Sequence, residues 1–232
     1  NTQRPEWNDA NNALVGQGLS MVTLYYMRRY VRFLRNLLDA ESESFALSTE
    51  VDTWFEGTAS ALAELYGELT DDPSTDVLRR QSLQKLGRAA AGFRERVYGE
   101  GTLSGTRQRA IDDVRKLLDD ALAIIDHSIT ANKRDDGLYH AYNIAGFRSD
   151  AVSVSHLYPM LEGQVAALSA GSIELDEAAE VVESLFASTI YRTDQDSFML
   201  YPDRELPGFL ARNRLPENHV TAIPLLNSML DK

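Results

Sequence analysis

Apolar side chains recur along this chain at the spacing of one helix face, with polar and charged residues filling the positions between them. From about Ser20 to Leu38 the stripe is Val22, Tyr25, Tyr26, Tyr30, Phe33, Leu34 and Leu37, while Arg28, Arg29, Arg32 and Arg35 lie mainly off it as a solvated or acid-paired face. A second helix is predicted from about Ser48 to Leu69, burying Val51, Trp54, Phe55, Leu62, Leu65 and Tyr66. Asp72-Pro73-Ser74 stops it by turn chemistry. A third runs from about Asp76 to Val97, with a break at Gly99, Gly101 and Gly105. The clearest is the fourth, roughly Arg107 to Ile129, where Ile111, Val114, Leu117, Leu118, Leu122 and Ile125 face inward and Asp112, Asp113, Lys116 and Asp119 face outward.

Beyond it the regularity lapses. Asn132 to Tyr158 is rich in Asp, Gly, His and Tyr and predicts an irregular connection. A short helix follows over Pro159 to Ala170, with Pro in its first turn and Gly171 at its end. Another covers Asp176 to Ser188, then a long loop spans Tyr191 to Pro207, and a last helix covers about Val220 to Leu230. Strand signals are nearly absent. The pattern predicts a single all-α domain over residues 1–232, built of helical hairpins that stack to bury a continuous core, as in helical toroids and solenoids. The unusual residues sit in the connections, where a rigid scaffold carries its chemistry.

Composition narrows the classes. The 232 residues suffice for a sizeable core, and 44% hydrophobic with 25% charged residues is ordinary for a globular protein. A net charge of −12 argues against nucleic acid as a partner, since phosphate binding needs a basic face. The acidity itself is explained well enough as a solubility device. There is no cysteine, hence no disulfide framework or thiolate metal site, which fits a reducing, cytoplasmic setting. No apolar run reaches the roughly 20 residues that span a bilayer, so no membrane partner is expected. The opening Asn1-Thr2-Gln3-Arg4-Pro5 has no initiator Met and predicts a processed or truncated piece of a longer polypeptide.

Four stretches carry candidate chemistry. In Glu6-Trp7-Asn8-Asp9-Ala10-Asn11-Asn12, helix capping by Asn8 or Asp9 accounts for one or two residues and not for an indole flanked by carboxylates. Trp beside Asp, Glu and Asn suits a sugar: the ring stacks on apolar C–H faces and the polar groups bond hydroxyls. A carboxylic acid beside an indole also holds its proton toward neutral pH, as a glycosidic general acid must.

This stretch resembles the Gly-Asp-Trp-Asn-Asp-Gly-Met-Asn motif of the (α/α)6-barrel inverting phosphorylases of the cellobiose and chitobiose type. Trp7, Asn8, Asp9 and Asn12 match it, and Gly16, Gly18 and Ser20 resemble its continuation, over roughly thirty residues. Glu6 stands where the motif has Asp, Ala10 where it has Gly, and Asn11 where it has Met. The resemblance implies an (α/α)6 barrel, an oligosaccharide or glycoside substrate, no cofactor, and Asp9 as general acid. A complete barrel needs about twelve helices, and the pattern supplies about seven. The chain is therefore expected to be the C-terminal part of a larger barrel, completed by the rest of its own polypeptide or by a partner chain.

The second stretch is Asn132 to Asn143. An Asp-Gly turn explains Asp136 and Gly137, while Tyr139, His140, Tyr142 and Asn143 bring aromatic faces and hydrogen-bonding tips together as a second wall of a sugar pocket. His127, His156 and His219 show no short ligand spacing, so no metal site is expected. In the third, Glu162 sits in a helix first turn after Tyr158-Pro159, bracketed by apolar residues; beyond complementing the helix dipole, it is placed to act as general base opposite Asp9, with Asp135 and Asp136 as alternatives. In the fourth, Tyr191 to Leu210, most of the loop is accounted for by Arg–Asp pairs, with Arg192 and Arg204 as phosphate ligands should the enzyme be a phosphorylase. The expectation is a carbohydrate-active domain that cleaves glycosidic bonds with inversion, by hydrolysis or phosphorolysis. The alternative is a non-catalytic helical module for sugar binding or assembly within a larger protein.

Overall fold

A computed structural model describes residues 16–69, 75–203 and 205–230. The chain divides into two units, residues 1–202 and 203–232. The first opens with strand β1 (Gly18–Ser20), helix α1 (Met21–Leu37), strand β2 (Phe45–Leu47), helices α2 (Thr49–Glu68) and α3 (Asp76–Glu100), strand β3 (Arg107–Arg109) and helix α4 (Ile111–Thr130). It continues with strands β4 (Tyr142–Phe147) and β5 (Val152–His156), helices α5 (Leu161–Ser169) and α6 (Leu175–Ala187), and the short strands β6 (Tyr191–Arg192) and β7 (Ser197–Phe198). The second unit holds three short helices, α7 (Phe209–Arg212), α8 (Glu217–Ala222) and α9 (Pro224–Leu230). The segment expected as one helix over Val220 to Leu230 is thus divided, at Ile223, where extended backbone ends α8 and Pro224 opens α9.

The mostly helical character expected from the pattern is present, and the helices start where polar caps allow. The Ser20, Ser48 and Thr75 hydroxyls accept the N–H groups of Thr23, Val51 and Leu78, satisfying donors that a helix N-terminus leaves open. Gly101 closes α3 in the left-handed conformation at φ 68°. The core lies where α1, α4, α5 and α6 meet, around Tyr25, Leu118, Leu122, Ile125, Ile129, Ala166 and Val181.

Several expectations are corrected. Residues 107–109 are a strand that pairs antiparallel with β2, and α4 begins at Ile111. The segment expected to be irregular forms a hairpin, β4 against β5, with β1 added on the far edge of β4: Gly18 faces Ile144 and Asn143 faces His156. Val152-Ser153-Val154-Ser155 is a strict period-2 alternation, too short to stand out beside the helices. The loop after α6 contains the β6–β7 hairpin. On α1 the buried residues are Met21, Tyr25, Arg28 and Val31, so much of the expected stripe faces outward: Tyr26, Tyr30, Phe33 and Leu37 are 45–61% exposed. Arg28 reaches the interior because its guanidinium is consumed there, by the Asp126 carboxylate and, at 2.8 Å, the Ala170 carbonyl. Trp54, expected in the core, is 41% exposed. Among the described residues no helix is long and apolar enough to cross a membrane.

Candidate functional site

The candidate region is built on the turn that leaves α4 and the hairpin that follows. Asn132 accepts His140 N–H at its carbonyl, and Arg134 and Leu138 close a tight turn through Gly137 at φ 80°, where a Cβ would come within 2.6 Å of Ser184 Oγ. Asp136 is spent on this turn. Its carboxylate accepts from Arg134 at 2.8–3.1 Å and from Leu138 N–H, and the guanidinium holds its pKa below the ordinary carboxylate value.

Buried polar bonds knit the turn to α1 and β5. The Tyr25 hydroxyl donates to the His140 carbonyl at 3.0 Å, and Asn132 Nδ2 donates to that same carbonyl at 2.8 Å and to Tyr25 Oη at 2.6 Å. Asn143 Nδ2 donates to Asn132 Oδ1, and Asn143 Oδ1 meets His156 Nδ1, both at 2.9 Å. A neutral ring donating through Nδ1 satisfies both partners. His156 stacks on His140, centroids 4.0 Å apart and planes 10° from parallel. Burial, with His156 and the Arg134 cation nearby, pushes the His140 pKa down to about 4; burial and Arg134 also lower that of His156. Both rings are neutral at pH 7.

Helix α5 packs against the same segment. Gln164, fully buried, accepts the Tyr139 N–H and donates to the Tyr139 carbonyl, each at 2.7 Å, standing in for a missing strand partner. Gly163 touches Ala141 so closely that a Cβ would lie 2.8–3.0 Å from its Cβ, Cα and N. One residue before Gly163, Glu162 is half-buried in the first helical turn. Burial raises its pKa, and a hydrogen bond with Tyr142 works in the opposite direction. Such a carboxyl is set up to exchange a proton nearer neutrality than an exposed one.

The expected residues therefore form separate groups. Glu162 joins Tyr142, and His140 and Asn143 join His156. Tyr142 and Asn143 are successive strand residues, so the pleat sends their side chains to opposite faces of β4. Tyr139 goes elsewhere again: it packs edge-on against Tyr25, and its hydroxyl donates to Glu177, itself bound by Lys133. It lines a pocket of about 210 Å³ together with Asp126, Lys133, Ser172 and Glu177, which none of His140, Tyr142, Asn143 or Glu162 reaches. Arg192 is held by both oxygens of Asp194 at 2.7–2.8 Å. Glu6, Trp7, Asn8, Asp9, Asn12 and Arg204 lie outside the described residues.

His156, Arg134, Asn132 and Gln164 were not singled out from the sequence. His156 had a signal, the Val-Ser-Val-Ser alternation that ends on it; the amides had none, since buried and exposed Asn look alike in a single chain. A larger cleft of about 480 Å³ lies between α2 and α3, with Trp54 and Phe93 in its lining, and holds none of the expected site residues. Among the described residues no group of three or more His, Asp or Glu side chains is disposed to hold a metal ion. No protein-family model matches the chain, and no curated protein matches it in sequence.

Proposed function

We propose that this chain carries the site of an enzyme that cleaves glycosidic bonds with inversion, on a helical scaffold of the (α/α) toroid type. The observation that supports this most is the pairing of β1 with β4. In sequence, β1 begins nine residues after Asp9, and its Leu19 and Ser20 face Asn143 and Tyr142, the latter bonded to the half-buried Glu162. A strand close in sequence to the acid-bearing motif thus pairs with the strand whose Tyr142 bonds the candidate base.

In this reading Asp9 protonates the leaving oxygen, and Glu162, ionised, removes a proton from a water that attacks the opposite face of the sugar. Trp7 stacks on the ring, and Glu6, Asn8, Asn12, His140, Tyr142 and Asn143 bond its hydroxyls. The stacked histidines suit this task, because a neutral imidazole offers one donor and one acceptor. The engagement of Arg192 by Asp194 favours water over phosphate as the attacking group.

A second reading is a sugar-binding module without turnover, favoured by the placement of Tyr142 and Asn143 on opposite faces of one strand. The test joins calorimetric titration with a turnover assay on one panel of oligosaccharides. Inverting hydrolysis that falls at least ~100-fold in both Asp9→Asn and Glu162→Gln, with binding kept, supports the enzyme. Binding without turnover in the native chain supports the module, and neither binding nor turnover overturns both.

A further inference from the structure

Helix α1 is apolar on two opposite sides. Its inner side, Met21, Tyr25 and Val31, is in the core; its outer side, Tyr26, Tyr30, Phe33 and Leu37, is a line of four large side chains open to solvent. A helix of that composition is ordinarily covered all round. The spacing i, i+4, i+7, i+11 keeps the four in one row about 16 Å long at 1.5 Å per residue. Arg29 flanks the row; it is exposed, forms no ion pair among the described residues, and sits 5.9 Å over the Tyr26 ring. Tyr and Arg together are the composition of an interface centre.

Among the described residues one other helix carries an exposed row with the same spacing. On α6 it is Leu175, Ala179, Val182 and Phe186, with Leu175 84% exposed and Phe186 held edge-on by Phe198. This row is flanked by acids, Asp176 and Glu183, both exposed and without an ion pair among the described residues. Laid parallel and face to face, the two rows pair Tyr26 with Leu175, Tyr30 with Ala179, Phe33 with Val182 and Leu37 with Phe186. The bulky aromatics of one then meet the smaller middle residues of the other. In that orientation, and not in the antiparallel one, the helical angles bring Arg29 beside the acidic flank, near the level of Asp176.

We propose that copies of this chain associate head to tail, the α1 row of one docking in parallel on the α6 row of the next. The two surfaces differ, so every open assembly keeps one free face of each kind, and growth continues until a ring closes.

Sedimentation of the full 232-residue chain over a concentration series tests this. The native chain assembles beyond the dimer, and Tyr30→Glu or Leu175→Glu, each at an exposed position, weakens association at least ~10-fold while the circular dichroism spectrum is kept. An equimolar mixture of the two variants supplies one intact face of each kind and stops at a one-to-one heterodimer. Three results overturn the proposal: a native chain that stays monomeric, a Leu175→Glu chain that still assembles like the native one, or a mixture in which the variants remain apart.

Discussion

His140 and His156 stack face to face at 4.0 Å, one from the turn after α4 and the other from the end of β5. Two imidazoles this close, with Arg134 Nη1 3.5 Å from His140 Nδ1, cannot both be charged cheaply. The groups facing His140 are His156 and Arg134, which lower its pKa, and Asp136 and the Leu157 carbonyl, which raise it without prevailing.

The consequence is a pH-dependent fold. The folded pKa of His140, about 4, lies below its ordinary 6.5, so protons bind the unfolded chain more readily. The contribution is present in full above pH 6.5 and is lost as the pH falls toward 4. Thermal unfolding midpoints should drop across that interval, and His140→Phe, which keeps a stacking ring, should make the drop shallower. Comparing the two proteins at each pH cancels the carboxylates they share. Parallel curves would refute the assignment.

Gly163→Ala should destabilise the protein by about 2 kcal/mol, because the added methyl meets the backbone of Ala141 and not a yielding side-chain tip. Urea unfolding gives the value. The same substitution at Gly92, where nothing lies within 4 Å, should leave stability unchanged or slightly raised, as expected inside a helix.

Asp52 is 1% exposed, and its carboxylate is met by Arg109 at 2.5–2.9 Å and Arg107 at 3.5 Å. Arg109 also lies 4.8 Å over the Phe55 ring, pinning the β2–β3 strand pair to α2. Arg109→Leu should cost about 3 kcal/mol by leaving a buried charge under-compensated, and Asp52→Leu added to it should recover most of that loss. Denaturation midpoints of the two variants decide it. A double variant no better than the single one would show that packing on Phe55, and not charge, sets the cost.

Periodicity served well where one helix face meets the core and the other meets water. On α4 the expected Ile111, Leu118, Leu122 and Ile125 are buried. It failed on α1, where two apolar faces compete and the winning one contains an arginine; the bonds from Arg28 to Asp126 and Ala170 are long-range facts that no local window contains. The hairpin of β4 and β5 escaped for a related reason. Its strands are short, β4 carries Gly146, and β1 joins them from the other end of the chain. The candidate site was legible as a set of residue types. Their partition was not, because the opposite facing of Tyr142 and Asn143 depends on the strand, and the strand went unrecognised.

The meeting of β1 with β4 also bears on the order of events in folding. Tyr25 and His140, bonded beside that seam, are 115 residues apart in sequence. Helices α1, α2, α3 and α4 can each form from local contacts, whereas the seam must wait for a long loop to close. His140, Tyr142 and Asn143 have no scaffold until it does. Their ordering is therefore expected late, so a chain stalled before that closure would keep most of its helical signal and lack the candidate site altogether.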